Sequence, residues 1–113
     1  MKNYCGFNLY KIVNKSNGKS YIGYTSRDIN RRFVEHIHNK HMYVSRQIRE
    51  EGVDKFTIKK LATFSKESAA RFYEKFFILM NHTLFPNGYN LSCEGDDARF
   101  LRLQISGKQY ELF

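Results

Sequence analysis

The sequence is poor in residues that staple or kink a chain, with two cysteines, Cys5 and Cys93, and a single proline, Pro86. The two cysteines could pair in principle, but without a secretion signal two free thiols in a reducing cytosol are expected. No apolar run approaches the roughly 18 residues that a membrane span needs. Met1 to Tyr10 lacks the apolar stretch and small-residue cleavage site of a signal peptide, which points to a cytoplasmic, intracellular protein. Repeats and low-complexity tracts are absent. Acidic residues are scarce too, but only in one half. Residues 1–60 hold 13 Lys/Arg against 5 Asp/Glu, whereas residues 61–113 hold 6 of each. The entire net charge of +8 therefore lies in the first half, as expected of a surface that faces a polyanion. An anionic membrane surface, an acidic protein or a plain soluble basic surface would suit the charge as well.

What is present is enough for one core. In 113 residues, 42% are hydrophobic and 16% aromatic, ordinary values for a globular domain. Phe7 to Val13 alternates, with Phe7, Leu9 and Val13 on one side and Asn8, Tyr10 and Ile12 on the other, which predicts a strand. Asn17-Gly18 is a hairpin-turn signal because both residues tolerate positive φ, and Ser20 to Thr25 reads as the returning strand. Ser26 or Asp28 can cap a helix reaching about Asn39, with Ile29, Phe33 and Ile37 as its buried stripe. A short helix over Tyr43 to Glu51 should stop at Gly52. Lys55 to Phe64 predicts a third strand, its alternation less clean at Leu61 and Ala62. A long helix capped by Ser65 should run to Asn81 or His82. Its wide apolar face of Ala69, Phe72, Tyr73, Phe76, Phe77, Leu79 and Met80 makes it the expected central helix. Phe100 to Ile105 and Gln109 to Phe113 flank Ser106-Gly107-Lys108 and predict a terminal hairpin. The expected fold is α/β, a small, mainly antiparallel three-stranded sheet flanked by helices. Residues 1–95 would form the domain and residues 96–113 a C-terminal hairpin extension.

Chemistry is carried by a few side chains. Pairing around Asn17-Gly18 puts Tyr10 and Tyr21 on one face of the hairpin, although half-buried strand tyrosines would satisfy the same pattern. A two-residue loop would set them diagonally apart and a longer one opposite each other. On the following helix Arg32 and His36 share a ridge beside the apolar stripe, while Arg31 points to solvent. A guanidinium at that border can hold a phosphate bidentately, or simply cover the core edge with its stem. Glu74 falls at the margin of the long helix's apolar arc, where a carboxylate needs a cation, a donor or a metal ion. His36, His38, His41 and His82 do not make a zinc set, because no cysteine pair lies near and helical spacing spreads the first three around the axis.

Together these features resemble the GIY-YIG nuclease family. Asn8-Leu9-Tyr10 and Tyr21-Ile22-Gly23 are similar to its paired tripeptides, with Asn8-Leu9 in place of the first Gly-Ile. Arg32-Phe33-Val34-Glu35-His36 resembles its Arg–aromatic–x–x–His helix. Glu74-Lys75-Phe76-Phe77-Ile78 and Asn87-Gly88-Tyr89-Asn90 resemble its later motifs. The interval from Tyr21 to Arg32 is one residue longer than is common there, so Arg31 also competes for the match. The resemblance implies hydrolysis of double-stranded DNA with one divalent metal, Mg²⁺ or another cation such as Mn²⁺, by a free-standing or intron-encoded homing-type enzyme. A restriction or repair nuclease, or a non-catalytic nucleic-acid-binding module, is the alternative. Carried over, Glu74 would ligate the metal, Tyr10 or Tyr21 would orient or deprotonate the attacking water, and Arg32 would stabilise the phosphate. His36 and His41 would assist, and Asn90 would support the site. Lys11, Lys15, Lys19, Arg27, Arg31 and Arg46 are the expected DNA contacts, and no membrane partner is expected.

Overall fold

The alternation in the first strand is resolved by covering both faces of the sheet. The computed structural model describes residues 6–93, which leaves Cys5 and the expected terminal hairpin outside the described residues. In chain order it holds β1 (Phe7–Asn14), β2 (Ser20–Thr25), α1 (Ile29–His38), α2 (Tyr43–Glu51), a 3-10 turn (Val53–Lys55), β3 (Phe56–Phe64) and α3 (Glu67–Met80). The sheet is antiparallel in the order β2-β1-β3. On one face Tyr10, Ile12, Tyr21 and Phe56 pack with Val44 and Ile48 of α2, flanked by the Ile29, Phe33 and Ile37 stripe of α1. On the other, Leu9 and Ile22 pack with Ile78 of α3. The architecture is the α/β sheet with flanking helices that the pattern predicts.

The irregular alternation of β3 has a structural cause. Leu9 pairs with Ala62 but Tyr10 pairs with Lys60, so Leu61 is an extra residue in a β-bulge. The bulge reverses the inward set, and Phe56 and Ile58 join the α1–α2 side while Leu61 and Phe64 join the α3 side.

The hairpin turn is longer than the Asn17-Gly18 pair. Lys15 to Gly18 form the loop, closed by Asn14 N–H donating to the Lys19 carbonyl at 2.9 Å. Within it only Gly18 takes positive φ, at 80°, and Asn17 instead caps the turn by accepting from Lys19 N–H at 2.9 Å. Tyr10 therefore lies opposite Gly23 and Tyr21 opposite Ile12, which makes the tyrosines diagonal neighbours despite the longer loop.

The long helix differs most from expectation. Lys66, not Ser65, is its N-cap residue, and no side chain among the described residues caps it. Ala70, Glu74 and Ile78 are the buried positions, whereas Phe72, Tyr73, Phe76, Leu79 and Met80 are exposed. At about 100° per residue the aromatic stripe lies roughly opposite the buried one. Thus α3 covers one side of the sheet and is not a central helix. The aromatic rings find one another instead, with Tyr73 stacked on Phe64 at 5.1 Å between centroids.

Candidate active site

Strand register fixes the tyrosines, and helix capping fixes the residues that meet them. Asp28 accepts from Asn30 and Arg31 N–H groups, which starts α1 and sets the ridge of Arg32 and His36 toward the sheet. His36 is wholly buried, with Nε2 2.7 Å from the Tyr10 hydroxyl. Its ring lies edge-on to both tyrosines, 5.8 Å from Tyr10 and 5.2 Å from Tyr21, and the tyrosine rings are 6.3 Å apart. Burial, then the Arg32 charge, lowers the His36 pKa from 6.5 to about 3, so the imidazole is neutral at physiological pH. His36 Nδ1 is buried, and among the described residues it has no hydrogen-bond partner. A bare acceptor there costs less than a bare N–H, which favours the tautomer that donates from Nε2 to the Tyr10 oxygen.

Arg32 completes the cluster. Burial alone would lower its pKa, but the adjacent Tyr10 and Glu35 outweigh that and hold the guanidinium firmly charged. Arg31, one residue earlier, is exposed and turned outward. The helix thus brings Arg32, not Arg31, against the tyrosines.

Gly23 supplies the space that this packing needs. A Cβ there would lie 2.6 Å from the Tyr10 hydroxyl and 3.0 Å from Tyr21 Cε2. Its role is legible in sequence only once the register places it opposite Tyr10. Asn90 is buried behind β2, accepting from Ile22 N–H at 2.9 Å and Thr83 Oγ1 at 2.7 Å, and donating to the Ile22 carbonyl at 2.9 Å. It fastens the strand edge between Tyr21 and Gly23, which is a supporting role.

The other expected residues are spread wider. Glu74 enters from α3 and is nearly buried, at 6% exposure, between Ala70 and Ile78. His41 is exposed after α1, and its backbone N–H is capped by Asn39 Oδ1 at 2.7 Å. Lys15, Arg27, Arg31 and Arg46 are exposed and Lys19 is half-buried. Lys11 departs from the set. It shares the face of Leu9, opposite the tyrosines, and its ammonium donates to Asn81 Oδ1 at 3.2 Å.

Among the described residues no three His, Cys, Asp or Glu side chains converge. A single carboxylate fits a hard cation that keeps its waters and takes further oxygens from phosphate. Among the described residues Glu74 is the buried carboxylate.

A tyrosine pair, a charged arginine and a neutral histidine meet on one face of a small α/β sheet, a set that can receive a phosphate. Residues 6–90 match the GIY-YIG catalytic domain model. The chain belongs to the GIY-YIG family of DNA endonucleases. No curated protein matches it significantly. The fold is similar to the catalytic domain of the homing endonuclease I-TevI, with a TM-score of 0.63 at 22% identity over 79% of this chain and 99% of that one. A point mutant of the same catalytic domain, described as an intron endonuclease, gives 0.61 at 21% identity over 77% and 94%.

Proposed function

We propose that the chain is a homing-type endonuclease that hydrolyses double-stranded DNA with a divalent cation, Mg²⁺ or Mn²⁺, held by Glu74. The observation that carries this reading is the Tyr10 hydroxyl, 2.7 Å from a neutral His36 and beside Arg32. The homing-type assignment draws support from the likeness to the I-TevI catalytic domain.

The chain's own residues act as follows. Arg32 meets the negative charge that builds on the phosphate in the transition state. Tyr10 or Tyr21 orients the attacking water and takes its proton, a role that the neighbouring guanidinium favours by stabilising phenolate. His36, with its depressed pKa, is a poor proton store, so it aims the Tyr10 hydroxyl. Asn90 holds the backbone between Tyr21 and Gly23, and His41 stands exposed where DNA can approach it. A cation on Glu74 would polarise the phosphate and ease deprotonation of water.

Supercoiled-plasmid nicking, with Mg²⁺ or with chelator, tests the proposal together with Glu74→Gln. Cleavage should require the cation and disappear in the variant, while gel-shift binding persists. Cleavage undiminished in chelator, or a Glu74→Gln protein that loses folding and DNA binding together, would overturn it.

A further inference from the structure

Glu35 lies among three arginines, and the proposed mechanism gives it no task. Its Oε1 accepts from Arg27 Nη2 at 2.8 Å and Arg32 Nη1 at 3.1 Å, and its Oε2 lies 3.8 Å from Arg31 Nε. Exposure is graded across the group, with side chains 72% exposed at Arg31, 48% at Arg27 and only 23% at Arg32. The inner guanidinium thus has the carboxylate on one side and the tyrosines on the other. Three guanidinium groups against one carboxylate leave a local charge of about +2, and removing Glu35 would leave about +3.

We propose that Glu35 is a positioning residue for cleavage, holding Arg32 aimed at the scissile phosphate and keeping three mutually repelling arginines in one cluster. A carboxylate presents two oxygens to a guanidinium fork much as a phosphate does. Glu35 therefore fills in advance the place that DNA phosphate oxygens take at the outer arginines. Arg27 and Arg31, the more exposed of the three, exchange it readily for phosphate, while Arg32 stays fixed. An ordinary surface ion pair would contribute little and touch nothing else. This one connects the basic rim to the Tyr10–His36 pair through Arg32.

Binding and catalysis should then move in opposite directions when the carboxylate is removed. Glu35→Gln keeps the side chain's size and helix propensity while deleting its charge. The inference rests on Arg32 acting at the phosphate, so Arg32→Ala is assayed in parallel. Single-turnover cleavage at saturating DNA should fall at least tenfold in Glu35→Gln. DNA affinity at low salt should rise several-fold, with a steeper dependence of log affinity on log salt. Glu35→Asp should recover part of the rate, and thermal stability should stay near that of the parent. Parent-like cleavage by Glu35→Gln while Arg32→Ala is inactive would overturn the role of Glu35 alone. A joint fall of rate, binding and thermal stability would reduce Glu35 to a structural ion pair and also overturn it. A fully active Arg32→Ala would remove the reading on which the inference rests.

Discussion

A single missing side chain shapes the site as much as those present. Gly23→Ala would push a methyl group into the Tyr10 hydroxyl, 2.6 Å from the ideal Cβ, and neither buried tyrosine can swing away. Displacing a reacting group by about 1 Å can cost about 100-fold in rate. Cleavage by Gly23→Ala should fall by that order, with a stability loss of about 1–3 kcal/mol for overpacking. Cleavage assays and urea unfolding of the variant measure the two effects separately. His36 makes a second prediction, through pH. Its folded pKa of about 3 lies below its unfolded value of 6.5, so the unfolded chain binds the proton first as pH falls. Stability from this group is complete above pH 6.5 and drains away as pH drops toward 3. Between pH 7 and pH 5 the loss should be about 2 kcal/mol. Urea unfolding at both pH values should show this slope in the parent and a flatter one in His36→Gln.

At the scale of elements, α3 separates two apolar faces that a helical wheel merges. Ile78 is fully buried, and Ile78→Ala should cost about 2–5 kcal/mol. Phe72 and Phe76 are 63% and 45% exposed, so Phe72→Ser and Phe76→Ser should each stay within about 0.5 kcal/mol. Equilibrium unfolding of the three variants decides, and a large loss at Phe72 or Phe76 would mean that something covers the stripe. Hydrophobic content on α3 was plain in the sequence, but its direction was not. Propensity and periodicity show how much of a helix is apolar. They do not show that the sheet takes only Ala70, Glu74 and Ile78 and leaves the aromatic rings to pack on one another. By contrast, α1 and α2 were legible because each has one apolar stripe and a distinct stop, Gly52 after α2 being the clearest.

For the molecule as a whole, the charge excess of residues 1–60 is divided by the sheet. Lys15 and Lys19 lie at the hairpin tip, and Arg27, Arg31 and Arg46 come from the α1–α2 side, but Lys11 is on the α3 side bonded to Asn81. DNA following the tyrosine face should meet the first five and miss Lys11. Removing one cation that pairs with a DNA phosphate should flatten the slope of log affinity against log salt by nearly one unit. Neutralising Lys15 and Lys19 together should therefore flatten it by up to about two, while Lys11→Ala leaves it unchanged. An equal effect of Lys11→Ala in salt-titrated binding would show that the duplex also crosses the α3 side of the sheet. The sequence by itself determined the order of elements, because periodicity, turn residues and caps act over a few neighbours. It also determined the shared face of Tyr10 and Tyr21 and the ridge of Arg32 and His36, which strand and helix geometry impose locally. Tertiary structure alone decided the Leu61 bulge, the clearance at Gly23, the burial that neutralises His36 and the pairing of Lys11 with Asn81. Each of these depends on what arrives from a distant part of the chain, and a local pattern carries no record of that.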